Sequence, residues 1–526
     1  MQLIGLILVV ISAITIQLGQ SCLFNNYGYD SAVCVCNDQQ CDGGLAPIRR
    51  TRKGVVTAYV TNPLSSRFKR VSVGQKIWKV LWGGKGAKKL TLTVNCNKTY
   101  QSILGFGGAF TDAAGIGISS LTPSLQSYLI SDYYSADGLE YNLGRIPIGG
   151  TDFSTHGYAY DEDHKDDFDL KYWNLTAEDY KFKIPFIREA LSISAEPLKL
   201  FTTSWSPPVW MKNNTKLAGG GFLKDQPGEK YYQVYANYIV KFINAYKSLG
   251  IPVWGLTPQN EPYFGIKKNG YPFNNLQFNG QLQRDFIKKD LGPALVQSGN
   301  KDIKVMTYDD QTLWVQEFAE AVLKDPEANK FVSGIAFHGY FNNISDFGQF
   351  DQLHKQFPDK FILATELCLA RDGDPHKVHL GAWEGVELYA NDIIKDLNNW
   401  VNGWVDWNLA LDEQGGPNWF GGFVDSPIIV NTTGNEYYKQ PMYYALAHFT
   451  KFLSPDSVRI GHSVNHPIDT LMTTAFKRPD GGRVVIVLNK GTEIVDMTVV
   501  DKNTGGPGFQ WRVYPKSLQT FIYYNN

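Results

Sequence analysis

From about residue 103 to about 450, short apolar runs recur along the chain, and amphipathic stretches lie between several of them. The runs are SILGFGGAF, NLGRIPIGG, LKLFTTSW, PVWGLTPQNEP, IKVMTYDD, GIAFHGYF, KFILATEL and NGWVDWNLAL. YYQVYANYIVKFINAYKSLG before the fourth and VQEFAEAVLKD before the sixth carry apolar residues at helical spacing. Eight apolar strands alternating with helices predict a (β/α)8 TIM barrel over 103–456. A doubly wound open sheet is the alternative.

The flanks read differently. VVTAYVTN, WKVLW and KKLTLTVN within 47–102, and IDTLMTTAF, RVVIVLNK, EIVDMTVV and FQWRVY within 457–526, alternate with period two. Pro479-Asp480-Gly481 between two such runs predicts a hairpin turn. Together the flanks predict an antiparallel β-sandwich domain built from both chain ends. Residues 22–46, with about 409–440, predict a small disulfide-bearing β element.

Residues 1–21 are apolar from Leu3 to about Ile16 and then small and polar, which predicts a signal peptide cleaved near Gly19 to Ser21. The n-region lacks Lys and Arg, so a signal anchor is the alternative, although the stretch is short for a span of about 20 residues. No later run is long enough to span, so the mature chain is expected to lack a transmembrane segment. Cys22, Cys34, Cys36 and Cys41 crowd the start of that chain. They allow three pairings. The single residue between Cys34 and Cys36 disfavours a bond between them and suits Cys22–Cys34 with Cys36–Cys41. The C-x-C spacing and the lack of nearby His argue against zinc. Sequons at Asn97, Asn174, Asn213, Asn343 and Asn431 are the glycosylation candidates.

With 50 basic and 51 acidic residues, the net charge of -1 offers no electrostatic reason for nucleic acid as a partner. The 13 Trp, 29 Tyr and 30 Phe suit a fold that stacks sugar rings, although a large core absorbs most of them.

In a (β/α)8 barrel, reactive side chains stand at the C-terminal ends of strands. The fourth run ends in Asn260-Glu261-Pro262 and the seventh in Thr365-Glu366. The second leads through Arg145 to Asp152, the third ends in Trp205 and leads to Trp210, the sixth carries His338 and Tyr340, and the eighth Asp406 and Trp407. Two carboxylates facing each other across one barrel mouth are what glycoside hydrolysis needs. Pro262 is expected to stop its strand and leave Glu261 at the rim. Glu366 follows the apolar KFILAT, so its charge needs partners, and Arg145 and Tyr340 are the candidates. An adjacent Arg would hold Glu366 ionised as nucleophile, while a drier setting would keep Glu261 protonated as acid.

VCVCNDQQC, GFGGAFTDAA, YNLGRIP, TDFS, KIPFIREAL, SPPVWMK, TPQNEP, GYPF, QRDFI, DLGP, TYDDQ, DPEA, GWVDWNLAL, GGPNWFGGFVDSPIIV and YKQPMYY are similar to segments of the acid β-glucosidases of glycoside hydrolase family 30. The resemblance covers nearly the whole mature chain. It implies a barrel with a β domain beside it, and cleavage with retention. It makes the Glu of TPQNEP (Glu261) the acid/base and the Glu of the TEL segment (Glu366) the nucleophile. It implies a glucose site of Asp152, Trp210, Asn260 and Trp407, ringed by Tyr271, Phe273, His338 and Tyr340. It further implies hydrolysis of glucosylceramide, a glycolipid at a membrane surface, with a saposin-type activator and a lysosomal transport receptor as partners. It implies the secretory pathway, with the lysosome as destination and an extracellular location as the alternative. Trp404 and Trp419 are read as packing. The chemistry calls for no metal or cofactor.

The departures lie at the rim. Gly339 stands where the resemblance leads one to expect Trp, ARDGDPHK (370–377) is polar where aromatics are expected, and Gly422 replaces an Asn. A β-glycosidase for another glucoside or a glucan is therefore the alternative function. A catalytically silent sugar- or lipid-binding protein is the reading that loss of either Glu would favour, and both are present. GHSVN (461–465) lacks the last Gly of a nucleophile elbow, GGKGAKK (83–89) lacks P-loop spacing, and DEDHKDDFD (161–169) lacks an EF-hand Gly.

Overall fold

The structure, a computed structural model, describes residues 22–74, 87–268, 270–503 and 508–524. The expected signal peptide and the WKVLW run lie outside the described residues. The eight barrel strands, numbered here in chain order, are Gly105–Ala109, Leu143–Ile148, Lys199–Ser204, Gly255–Thr257, Lys304–Gln311, Val332–His338, Phe361–Glu366 and Gly403–Asn408. All pair in parallel with their chain neighbours, and the eighth closes on the first.

The barrel interior follows from strand period. Leu143, Phe201, Met306, Ala336, Leu363 and Val405 form one buried apolar layer. Two residues further along their strands come Arg145, Thr203, His338, Thr365 and Trp407, on the same face and nearer the mouth. Strand 5 breaks this pattern. Strict alternation would bring Tyr308 inward after Met306, but the register shifts between Tyr308 and Asp310. Tyr308 (φ 83°) and Asp309 (φ 64°) both take left-handed backbone. The bulge turns Asp309 into the barrel and sends Tyr308 outward against Phe318 of helix Val315–Leu323. Helices cover the outside. Lys230–Ser248 buries Tyr235, Tyr238, Phe242 and Tyr246, so much of the aromatic load is core.

Residues from both chain ends build one nine-stranded sheet, in the order 509–513, 495–501, 88–102, 458–464, 471–477, 483–489, 517–523, 55–62, 66–74. Val56, Leu92, Val485, Val499, Trp511 and Phe521 share one apolar cluster, so the sheet curls over on itself. Its other face, with Val484, Ile486 and Leu518, joins the core of the barrel. The hairpin at Pro479-Asp480-Gly481 joins 471–477 to 483–489, with Gly481 at φ 85°. The domain is not wholly antiparallel, contrary to expectation. Strand 88–102 pairs antiparallel with 458–464 and parallel with 495–501. Those two flanking strands run in opposite directions, so any strand inserted between them must be parallel to one.

A five-stranded sheet joins 23–25 and 33–37 to 436–439, 428–431 and 411–412. Disulfides Cys22–Cys34 and Cys36–Cys41 hold its N-terminal part. Among the sequons, Asn97, Asn174, Asn213 and Asn343 are exposed. Asn431 fits the expectation poorly: it is half-buried, and its amide nitrogen donates to Glu436 and to Tyr438 Oη at 3.2 Å. Among the described residues, no helix is long and apolar enough to cross a membrane.

Candidate active site

Gln311, His338 and Glu366 stand in register at the ends of strands 5, 6 and 7. Strand 4 ends earlier than the sequence suggested. It stops at Thr257 because Pro258, not Pro262, is the first residue without an N–H, so Asn260-Glu261 lie in the following turn. There Glu261 takes φ 42°, and its N–H donates to Asp309 O at 2.9 Å. This turn carries Glu261 to the centre of the mouth. Carboxylate oxygens of Glu261 and Glu366 and a nitrogen of His338 all lie within 4.8 Å of one another. Retaining glycosidases hold their carboxyl groups about 5–5.5 Å apart and inverting ones about 6.5–9.5 Å, so the spacing suits retention.

The two carboxylates have different surroundings. Glu366 accepts from the Arg145 guanidinium and, at 2.8 Å, from the Tyr340 hydroxyl. Glu261 Oε1 lies 2.8 Å from His338 Nδ1 and accepts from Gln311 at 2.5 Å. Arg145 also donates to Asn260 at 2.7 Å and Asp309 at 2.9 Å, and its guanidinium lies over the rings of Trp205 and Trp407. Burial opposes its charge, but Asp309 and Glu366 outweigh that and raise its pKa. Burial likewise opposes a charged His338, yet Glu366, Asp309 and Glu261 raise its pKa to about 10. Both its nitrogens face carboxylates, Nδ1 towards Glu261 and Nε2 towards Asp309. Burial and then Glu261 push Asp310 up to about 7. Burial, Glu366 and Glu261 raise Asp152 well above the carboxylate range.

A pocket opens over the pair, lined by Asp152, Asn260, Glu261, Tyr271, Phe273, Tyr340, Glu366 and Trp407 among the expected residues. Two expectations need correction. Trp210 lies outside this lining: its indole donates to Asp161 O at 3.0 Å and it packs on Phe168, while Trp205, just past the end of strand 3, lines the pocket and stacks on Trp407. His338 is fully buried beneath Glu261 rather than lining the pocket. Trp404 is core, and Trp419 donates to Thr151 O, bracing the loop that carries Asp152. Gln311, Asp309 and Trp205 are the members missing from the expected set, and all three sit at or near strand ends.

The rim is less polar than its sequence departures suggested. Phe341, Phe264, Tyr271, Phe273 and Phe420 follow one another around the mouth with ring centroids 4.7–5.6 Å apart. Arg371 of the polar 370–377 loop is turned away into contacts with Asp425 and Glu384.

Residues 103–453 match the glycosyl hydrolase family 30 TIM-barrel domain, and residues 456–521 match the family 30 beta sandwich domain. The chain belongs to glycoside hydrolase family 30. Within this family it is 41% identical to the lysosomal acid glucosylceramidase of Mus musculus over 501 residues, covering 94% of this chain and 95% of that protein. An endo-1,6-beta-D-glucanase of Aspergillus fumigatus is 29% identical over 84% of this chain and 88% of that protein. Among solved structures, SrfJ from Salmonella typhimurium superimposes with a TM-score of 0.79 at 26% identity, covering 90% of this chain and 100% of that chain. As a family 30 member, the chain is a glycoside hydrolase.

Proposed function

We propose that this family 30 hydrolase cleaves glucosylceramide to glucose and ceramide by double displacement. Glu366 attacks the anomeric carbon while the bond to the ceramide oxygen breaks and Glu261 gives that oxygen its proton. Glu261 then takes a proton from water, whose oxygen attacks the anomeric carbon and frees Glu366 with net retention. The observation that carries this reading is the close pair of carboxylates with unlike partners: Arg145 and Tyr340 favour the ionised Glu366 a nucleophile must be. Asp152, Asn260, Trp205 and Trp407 supply hydrogen bonds and ring faces for the glucose. The aromatic row from Phe341 to Phe420 offers apolar surface for the ceramide chains.

The secretory route, with the lysosome as destination, belongs to the same proposal, as do a saposin-type activator and a transport receptor. The exposed sequons Asn97, Asn174, Asn213 and Asn343 are its glycosylation sites. A second reading, hydrolysis of a β-1,6-glucan, is favoured by the 29% identical glucanase relative. Turnover of glucosylceramide in mixed micelles with anionic lipid at acidic pH, with and without saposin, is compared with turnover of β-1,6-glucan. The proposal expects the glycolipid to be the better substrate. Preference for the glucan would overturn it.

A further inference from the structure

We propose that Asp309 is a positioning residue that keeps His338 doubly protonated against Glu261, and so sets the pH range in which Glu261 exchanges its proton. The proposal rests on the reading of Glu261 as acid/base.

Glu366, Arg145, Asp309, His338 and Glu261 form a chain of alternating charge across the barrel. Arg145 donates to Glu366 at one end and to Asp309 Oδ2 at 2.9 Å. His338 Nε2 lies 3.3 Å from Asp309 Oδ1, and Nδ1 lies 2.8 Å from Glu261 Oε1. The two cations sit beside each other, with an Arg145 nitrogen 3.5 Å from His338 Nε2. Such a pair persists only with a carboxylate serving both. Asp309 is that carboxylate.

Its surroundings favour the charged form. The hydroxyls of Thr257, Thr203 and Thr365 donate to Asp309 at 2.7, 3.0 and 2.6 Å, in addition to Arg145 and His338. Burial opposes that charge, but the Arg145 guanidinium, which is always charged, together with His338 and Thr365 holds the Asp309 carboxyl well below the usual carboxylate range. The chain also bears backbone strain to place it: only the bulge and the left-handed φ at Tyr308 and Asp309 bring a carboxylate, rather than a tyrosine ring, to this level of the barrel.

The charged and titratable groups facing His338 are Glu261, Glu366, Asp309, Asp310, Arg145 and Tyr340. Without the Asp309 charge, Nε2 faces Arg145 with no carboxylate partner of its own, and the ring holds that proton less tightly. A neutral His338 no longer offers a cationic donor to Glu261, and it leaves Glu366 without a positive charge 3.8 Å away. The electrostatic support that Asp309 relays to both carboxylates is then lost.

Histidine-selective nitrogen-15 NMR on the intact protein, assigned with His338→Gln, tests the first half. Both His338 nitrogens are expected to carry protons from about pH 5 to about pH 8. A neutral ring in the middle of that range overturns the proposal. Asp309→Asn tests the second half: the limbs of the kcat/KM profile move by about one unit or more. Thr365→Val, which removes one donor to Asp309, gives a smaller shift in the same direction and serves if Asp309→Asn does not fold. A lower kcat with unmoved limbs would mean a merely structural Asp309. Covalent labelling of Glu366 by a β-glucosyl inactivator is independent of all these outcomes, so its persistence would separate failure of this proposal from failure of the proposed mechanism.

Discussion

Tyr340 donates its hydroxyl to Oε1 of Glu366 at 2.8 Å, on the opposite carboxylate oxygen from Arg145. A hydrogen bond to a charged group contributes about 1.5–3 kcal/mol. Tyr340→Phe is therefore predicted to lower kcat/KM by about tenfold or more. Steady-state kinetics check it.

Glu261 has the complementary part. In Glu261→Ala, an aryl glucoside with a good leaving group should still glycosylate Glu366, because departure needs little protonation. Water attack then lacks its base, and kcat falls by about 10²–10⁴. Azide, which needs no base, is expected to restore turnover and yield the β-glucosyl azide. An α-azide, or no rescue, would count against this role.

Trp205 and Trp210 stand five residues apart in sequence but in different surroundings: Trp205 lines the pocket, whereas Trp210 packs on Phe168. Trp205 also carries the Arg145 guanidinium 4.9 Å above its ring. Trp205→Ala is predicted to lower kcat/KM by about a hundredfold, since a displaced Arg145 misplaces Glu366. Trp210→Phe is predicted to lower Tm while leaving kcat and KM close to those of the unaltered enzyme. Paired kinetics and melting curves separate the two.

How much was legible in the sequence follows the same division. Strand and helix periods are local, so the eight barrel runs and the flanking β domain could be read, and the strand-end rule reached Glu261 and Glu366. Asp309 was hidden because alternation carries no sign of a bulge, and it points Tyr308 inward instead. Gln311 lay one residue beyond the end of the IKVMTYDD run. Trp205 and Trp210 share the segment WSPPVW, where only the turn after strand 3 decides which ring reaches the pocket. Strand direction in the β domain was equally out of reach, because period two is the same for parallel and antiparallel neighbours.

The stability contributed by Asp310 and Asp392 is predicted to fall as pH rises from about 4 to about 7. Burial raises Asp392 to about 6, and burial with Glu261 raises Asp310 to about 7. Each is above the unfolded value of about 4, so its contribution is fully present below that value and is lost as pH rises through the folded pKa. His338, raised to about 10, loses its contribution later, on the way to that pH. Asp309 is shifted downward, so its contribution is lost only in stronger acid. Burial lowers His448 to about 3, so its contribution runs the other way and is lost as pH falls below its unfolded value. Asp392→Asn removes part of the acid-favoured contribution, so its Tm gains less towards acid pH than that of the unaltered enzyme. Thermal melts across the range measure it.

The central claim is that Glu366 forms the covalent bond to glucose. It is tested most directly by peptide mass mapping after incubation with a 2-deoxy-2-fluoro-β-glucosyl inactivator. The account predicts one adduct per chain, on Glu366. An adduct on Glu261 or any other residue would contradict it.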